Sequence, residues 1–160
     1  MDDLLINPMK IYLKNQQTKH RLNVDNLQKL AEWLSLKIND HNSWKEISIL
    51  LTDDEGIRYF HSKFLKSDNT TDVISFRHEP IPGEENKVTG DLVVNVERAY
   101  QEGSYRNDPD FEIAFYIAHG FDHLNGATDD TAEKRLSMHM REEKWLNNAK
   151  KINILNNLFI

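Results

Sequence analysis

The sequence predicts an α+β fold in which a mixed sheet of about four strands is covered by helices. Four short apolar stretches have the length and composition of strands, and longer stretches repeat their apolar residues at helical spacing. The length of 160 residues suits one domain that buries roughly 70% of its unfolded surface. We therefore expect residues 1–160 to form one domain, with a core over about residues 8–148.

The first half of the chain predicts two strands, each followed by a helix. Met9–Leu13 and Ile47–Leu51 are short apolar runs typical of strands. Between them, Val24–Asn39 has an apolar stripe at helical spacing, formed by Leu27, Leu30, Ala31, Leu34 and Ile38. A capping box at Thr52–Glu55 opens the next helix, which carries Ile57, Phe60 and Phe64 on one face.

A hairpin is predicted in the middle of the chain. Its strands are Asp72–Phe76 and Asp91–Val96, because apolar and β-branched residues dominate both segments. Glu79–Thr89 joins them, and its proline and glycine content is typical of a loop.

Two helices complete the predicted fold. Pro109 starts the first, with Asp108 as its cap, and this helix runs to about Asn125. The last helix covers Ala132 to about Asn148. The tail, Ile152–Ile160, mixes asparagine with apolar residues and either packs on the body or frays.

Composition excludes several classes of protein and site. The absence of cysteine excludes disulfides, thiolate nucleophiles and cysteine-ligated zinc fingers. Met1–Pro8 does not resemble a signal peptide and no apolar run is long enough to span a bilayer, so we expect a cytoplasmic protein without membrane partners. The formal charge of −6 argues against a general nucleic-acid binder. Basic residues still recur over 10–21 and 58–66, forming either a solvated face or a groove for a polyanion.

The helix that begins at Pro109 carries the strongest functional signal. Apolar residues cover most of its circumference, yet Glu112, Tyr116, His119 and His123 form one polar stripe. Such a stripe must face water or a site, because each unpaired buried polar group costs about 1–3 kcal/mol. Histidines four residues apart project from the same helix face and can share one transition-metal ion. The sequence therefore predicts a metal site at His119 and His123.

The residues after this helix offer a third ligand. Gly126 predicts a left-handed reversal that turns the chain back toward the histidines. Both Asp129 and Asp130 follow that reversal. Asp130 resembles the N-cap of the last helix, with Glu133 at the third helical position, which favours Asp129 as the ligand and keeps Asp130 as the alternative.

The spacing His119-x-x-x-His123-x-x-Gly126-x-x-Asp129 matches the layout of metzincin proteases and predicts a zincin-like metal helix. Those proteases carry a glutamate directly after the first histidine as general base, and Gly120 occupies that position here. A glycine inside a helix costs about 1 kcal/mol relative to alanine, so we expect a close neighbour at Gly120. Asp122 is either a partner or base of the metal site or a plain surface aspartate.

Three segments resemble the YbeY family of bacterial endoribonucleases and ribosomal RNA maturation factors. His119–Asp129 resembles the histidine signature of that family, residues 64–76 resemble its Thr-Asp-Val-Leu-Ser-Phe strand segment, and Gly90–Ala99 resembles its Gly-Asp-Ile segment. Together the three span about residues 55–145. The chain departs from the family pattern where Asp129 replaces a third histidine and where Leu65 replaces an arginine.

The resemblance implies a zinc-dependent, single-strand-specific endoribonuclease that acts in 16S ribosomal RNA maturation and ribosome quality control. It implies one zinc ion per chain held by His119, His123 and Asp129, and a catalytic set of His119, His123 and Asp122. Ribosomal RNA and the small ribosomal subunit are the implied partners, and no DNA specificity is expected. The implied substrate-binding residues are Arg58, Lys63, Lys66, Asp72 and Ser75, of which the last two are expected on opposite faces of their strand.

Two other functions remain open on the sequence. A zincin-like metalloprotease would share the metal layout, although Gly120 replaces its general base. A non-enzymatic ribosome-associated factor would hold the metal for structural reasons alone.

Overall fold

A computed structural model describes residues 9–67 and 69–160. The segment 1–8, for which the sequence predicts no signal peptide, and Asp68 of the family-like segment lie outside the described residues. Four strands form one sheet, and they are β1 (Lys10–Asn15), β2 (Trp44–Thr52), β3 (Val73–His78) and β4 (Val88–Asn95). Their order is β1-β2-β4-β3, with β2 parallel to both neighbours and β3 antiparallel to β4. The predicted mixed sheet and hairpin are confirmed.

The sheet carries helices on both faces. The helices are α1 (Val24–Ser35), α2 (Asp54–Leu65), α3 (Val96–Tyr105), α4 (Pro109–Leu124) and α5 (Ala132–Lys151). α1, α3 and α4 bury their apolar residues in the main core on one face, whereas α2 packs over Ile74 and Val93 on the other. This α+β arrangement confirms the predicted fold class, and the zincin-like character of α4 stays a prediction.

α4 lies across the hairpin because its sequence allows close contact. Asp108 caps it by accepting from the N–H of Phe111 at 3.0 Å, as predicted. At Gly120, an added Cβ would stand 2.8 Å from a methyl of Leu92 and 3.3 Å from a methyl of Val73. The expected close neighbour of Gly120 is therefore a pair of sheet residues.

Several element boundaries differ from the sequence predictions. α3 was missed because Asn95 both ends β4 and caps the helix, accepting from the N–H of Arg98 at 3.1 Å. The first helix ends at Ser35 instead of Asn39, and the chain continues in turns. The tail packs on the body, where Phe159 bridges to Leu22.

Two predicted caps are wrong by one residue. Asp53, not Thr52, caps α2 by accepting from the N–H of Gly56 at 2.9 Å. Thr131, not Asp130, caps α5 by accepting from the N–H of Lys134 at 3.1 Å.

Among the described residues, no helix has both the length and the apolar character that crossing a membrane requires.

Candidate metal centre

Two imidazole nitrogens and one carboxylate converge at the C-terminal end of α4. His119 Nε2 lies 3.1 Å from His123 Nε2, and His123 Nε2 lies 3.5 Å from Asp129 Oδ2. One ligand atom of each residue falls within 4.8 Å of the other two. The two histidine side chains remain 23% and 24% exposed, so water reaches the group. The structure thus brings together the three residues that the sequence nominated as ligands.

Each histidine is oriented by a hydrogen bond at its other ring nitrogen. His123 Nδ1 lies 3.0 Å from the carbonyl oxygen of Ala127, and His119 Nδ1 lies 2.9 Å from Glu142 Oε1. A carbonyl oxygen only accepts, so His123 donates from Nδ1 and keeps a lone pair on Nε2. When His119 donates from Nδ1 to Glu142, its own lone pair is on Nε2, which faces Nε2 of His123. Two facing lone pairs beside a carboxylate suit zinc, whose catalytic sites use three protein ligands and keep one position open.

The reversal after α4 brings Asp129 to the histidines. Gly126 has φ of +100°, the left-handed conformation that the sequence predicts for it. The N–H of Ala127 then donates to a carbonyl oxygen of the last helical turn at 3.1 Å. Asp130 instead approaches Lys134 Nζ at 3.0 Å. The geometry therefore favours Asp129 over Asp130. The capping argument for this choice is wrong, however, because Thr131 and not Asp130 caps α5.

Glu142 on α5 is a residue of this site that the sequence did not predict. Its side chain is fully buried, and its two oxygens lie 2.9 and 3.2 Å from His119 Nδ1. A carboxylate in this position fixes the tautomer and the ring orientation of a metal-binding histidine. One signal could have revealed it, since Glu142 is an acidic residue within the buried stripe of Met138, Leu146 and Ala149.

The pair of Glu142 and His119 is electrostatically coupled to its neighbours. Burial raises the pKa of Glu142, the hydrogen bond from His119 opposes that shift, and the nearby Asp122 carboxylate adds to it. Burial lowers the pKa of His119, but the bond to Glu142 and the charges of Asp72 and Asp129 outweigh it and raise the pKa. Three acidic residues, Glu142, Asp72 and Asp129, therefore favour positive charge at this point, which a cation would supply.

Asp122 holds α5 against α4. Its side chain is 1% exposed, and its two oxygens accept from Arg141 Nε and Nη2 at 2.9 and 3.0 Å. The interpretation of Asp122 as a plain surface aspartate is therefore wrong. Such a two-point ion pair is geometrically specific, and it fixes the helix turn that carries Glu142. Because both oxygens are engaged, the geometry favours a positioning role over that of a base.

The remaining members of the polar stripe also have partners. Glu112 Oε2 accepts from Arg106 Nη1 at 2.6 Å. Tyr116 is buried, and burial together with the charge of Glu112 raises the pKa of its hydroxyl. The ring of Phe115 lies nearly parallel to that of His119 with 6.5 Å between centroids. The stripe therefore begins in an ion pair and ends in the candidate metal site.

The predicted basic residues lie away from the histidines. Arg58 and Lys63 belong to α2, and Lys66 is its C-cap. α2 packs through Ile57 on the sheet face opposite α4. Arg58, Lys63 and Lys66 therefore belong to an element on one face of the sheet, whereas the candidate metal ligands follow from α4 on the other face.

Asp72 and Ser75 both stand on the α4 side of the sheet. Asp72 precedes β3, so strand alternation does not govern it, and it lines a cavity with Tyr116. Ser75 shares its strand face with Val73, which approaches Gly120. The expectation that only one of them faces this side is wrong.

Comparisons with known proteins agree with the fold and show the family. The family model described as Endoribonuclease YbeY matches residues 12–150. The endoribonuclease YbeY of Heliobacterium modesticaldum is 35% identical over 114 residues, covering 64% of this chain and 69% of that protein. Its counterpart in Syntrophomonas wolfei is 30% identical over 161 residues, covering 94% and 98%. A Thermotoga maritima protein solved in solution shares the fold, with a TM-score of 0.56 at 17% identity over 90% of this chain and 94% of its own.

Proposed function

The chain belongs to the YbeY family of endoribonucleases, and we propose that it cleaves single-stranded RNA using one zinc ion held by His119, His123 and Asp129. The observation that carries this proposal is the convergence of two Nε2 atoms, 3.1 Å apart, each opposite a hydrogen-bonded Nδ1. Hydrogen bonding at Nδ1 fixes which nitrogen is free for a metal. The proposed substrate is 16S ribosomal RNA, with the small ribosomal subunit as partner.

A zinc ion in this position would lower the pKa of a coordinated water toward about 7 and stabilise charge on a phosphoryl oxygen. His119 and His123 are neutral as ligands, and Asp129 contributes one negative charge. The ion and its three ligands would therefore keep one positive charge, which the Glu142 carboxylate behind His119 offsets, so a phosphodiester would be held by direct coordination at the open position. Glu142 holds the His119 ring in place, and the bond of His123 to Ala127 does the same for the second ring.

The metalloprotease alternative is not favoured by the packing at Gly120. A glutamate at this position would begin with a Cβ 2.8 Å from Leu92, inside the contact between α4 and the sheet. The position that holds the protease base is therefore filled by sheet side chains. A purely structural metal is not favoured either, since structural zinc sites are closed and these ligands are partly exposed.

Cleavage of RNA by matched histidine variants tests the proposal. We expect zinc-loaded protein to cut single-stranded ribosomal RNA segments and to leave the same segments intact when they are paired. His123→Ala should abolish cleavage and bound zinc, whereas His139→Ala, at a more exposed histidine on α5, should retain both. Cleavage of peptides but not of RNA, or equal RNA cleavage by His123→Ala, would contradict the proposal.

A further inference from the structure

The sheet face that carries α2 is only partly covered. α2 packs on Ile74 and Val93, and beside it the face opens into a groove of about 620 Å³ that is lined by residues of all four strands. Aromatic side chains form much of its wall, namely Tyr12, Phe60, Phe64 and Phe76. Tyr12 and Phe64 are 50% and 53% exposed, although both are large apolar residues. The groove is therefore an aromatic surface open to solvent.

Two lysines lie at this groove. Lys14 lines it, and Lys63 Nζ lies 5.4 Å from the centre of the Phe64 ring. Two acidic residues share the face: Asp91 is paired with His78 at 2.7 Å, and Glu46 stands opposite Lys10 in the β1–β2 register. Asp91 is thus engaged by a hydrogen bond and Glu46 has a lysine opposite it, while Lys14 and Lys63 add positive charge in a chain whose formal charge is −6.

The groove is connected to the metal centre around one sheet edge. β3 is an edge strand, with Phe76 lining the groove on one face and Val73 approaching Gly120 of α4 on the other. Next to β3, Asp72 lines a cavity with Phe115, whose ring stacks on that of the metal-binding His119. A flexible polymer held at the metal centre could therefore cross this edge and reach the opposite face.

We propose that this groove is a second binding surface for single-stranded RNA, which takes nucleotides remote from the scissile phosphate. Tyr12, Phe64 and Phe76 would stack on bases, while Lys14 and Lys63 would contact phosphates. Proteins that hold single strands combine such aromatic platforms with cations along the backbone. An acidic protein helix is less favoured, because an endoribonuclease must already bind a polyanion with unpaired bases. The inference rests on the proposed function, since it requires the substrate to be RNA.

Binding without cleavage tests the groove separately from the nuclease. In excess chelator, an oligouridylate of about twelve nucleotides should bind Tyr12→Ala about tenfold or more weakly than the unchanged protein, because each stacked base contributes strongly. Lys14→Ala should reduce the slope of log affinity against log salt by about 0.7. Tyr105→Ala, which removes an 86% exposed tyrosine of α3, should bind as the unchanged protein does. A thermal melt of each variant checks that the fold is retained.

The outcomes separate the two proposals. Normal cleavage and normal oligouridylate affinity in Tyr12→Ala would overturn the groove and leave the nuclease intact. Weakened affinity with no cleavage by any zinc-loaded protein would support the groove and contradict the nuclease. Binding of an acidic amphipathic peptide that depends on Tyr12, with no such dependence for RNA, would overturn the RNA assignment in favour of a protein partner.

Discussion

Replacing Glu142 by glutamine should weaken zinc binding while preserving the fold. The variant keeps the volume of the side chain and can still accept from His119 Nδ1, but it removes the negative charge 2.9 Å from that nitrogen. Loss of a carboxylate that orients a metal-binding histidine typically costs ten- to one-hundredfold in metal affinity, or about 1.4–2.8 kcal/mol. We expect a loss of zinc affinity in the lower half of that range, because the glutamine can keep the hydrogen bond to His119 Nδ1.

The measurement is a zinc dissociation constant from competition with a chromophoric chelator near neutral pH. Glu143→Gln is the matched control, because Glu143 is the next residue on α5, is half-exposed and lies 3.9 Å from His139. Glu142→Ala should bind zinc more weakly than Glu142→Gln, since it also leaves His119 without its partner. Unchanged affinity in Glu142→Gln, or an equal loss in Glu143→Gln, would refute the orienting role.

Three further substitutions give distinct expected results. Asp129→Asn should weaken zinc binding at least tenfold, whereas Asp130→Asn should not, and the chelator competition measures both. Arg141→Met should cost about 2–3 kcal/mol in urea denaturation, because it leaves the buried Asp122 carboxylate without its partner, while the 41% exposure of Arg141 lets some water replace the guanidinium. An unchanged denaturation midpoint would show that the Arg141–Asp122 ion pair does not anchor α5. Gly126→Ala should cost about 1 kcal/mol in the same assay, because a φ of +100° is strained for an alanine. No steric cost is expected, since no atom lies within 4 Å of the added Cβ. A loss above about 3 kcal/mol would imply a collision that the structure does not contain.

The sequence predicted the metal group because its signals are local. His119 and His123 lie one helical turn apart, and Gly126 reverses the chain within the next few residues. Spacing alone therefore restricts where Asp129 can go. The same holds for α4 as a whole, whose cap and first proline lie next to each other in the sequence.

The parts that sequence reasoning missed depend on distant pairing. Glu142 reaches His119 from 23 residues away, and Arg141 reaches Asp122 from 19 residues away, so only the docking of α5 on α4 brings them together. The sequence could not place Lys63 and Lys66 for a similar reason, because nothing local to α2 tells which face of the sheet it covers. α3 was missed because a single residue, Asn95, ends a strand and starts a helix.

Zinc coordination in solution tests the central claim most directly. We expect X-ray absorption of the zinc-loaded protein to show one zinc per chain with two imidazole nitrogens and oxygen ligands at about 2.0–2.2 Å. In His123→Ala, one imidazole contribution should disappear and the zinc content should fall, while His139→Ala should give the spectrum of the unchanged protein. A protein that takes up no zinc, or a zinc spectrum that His123→Ala does not alter, would contradict the account.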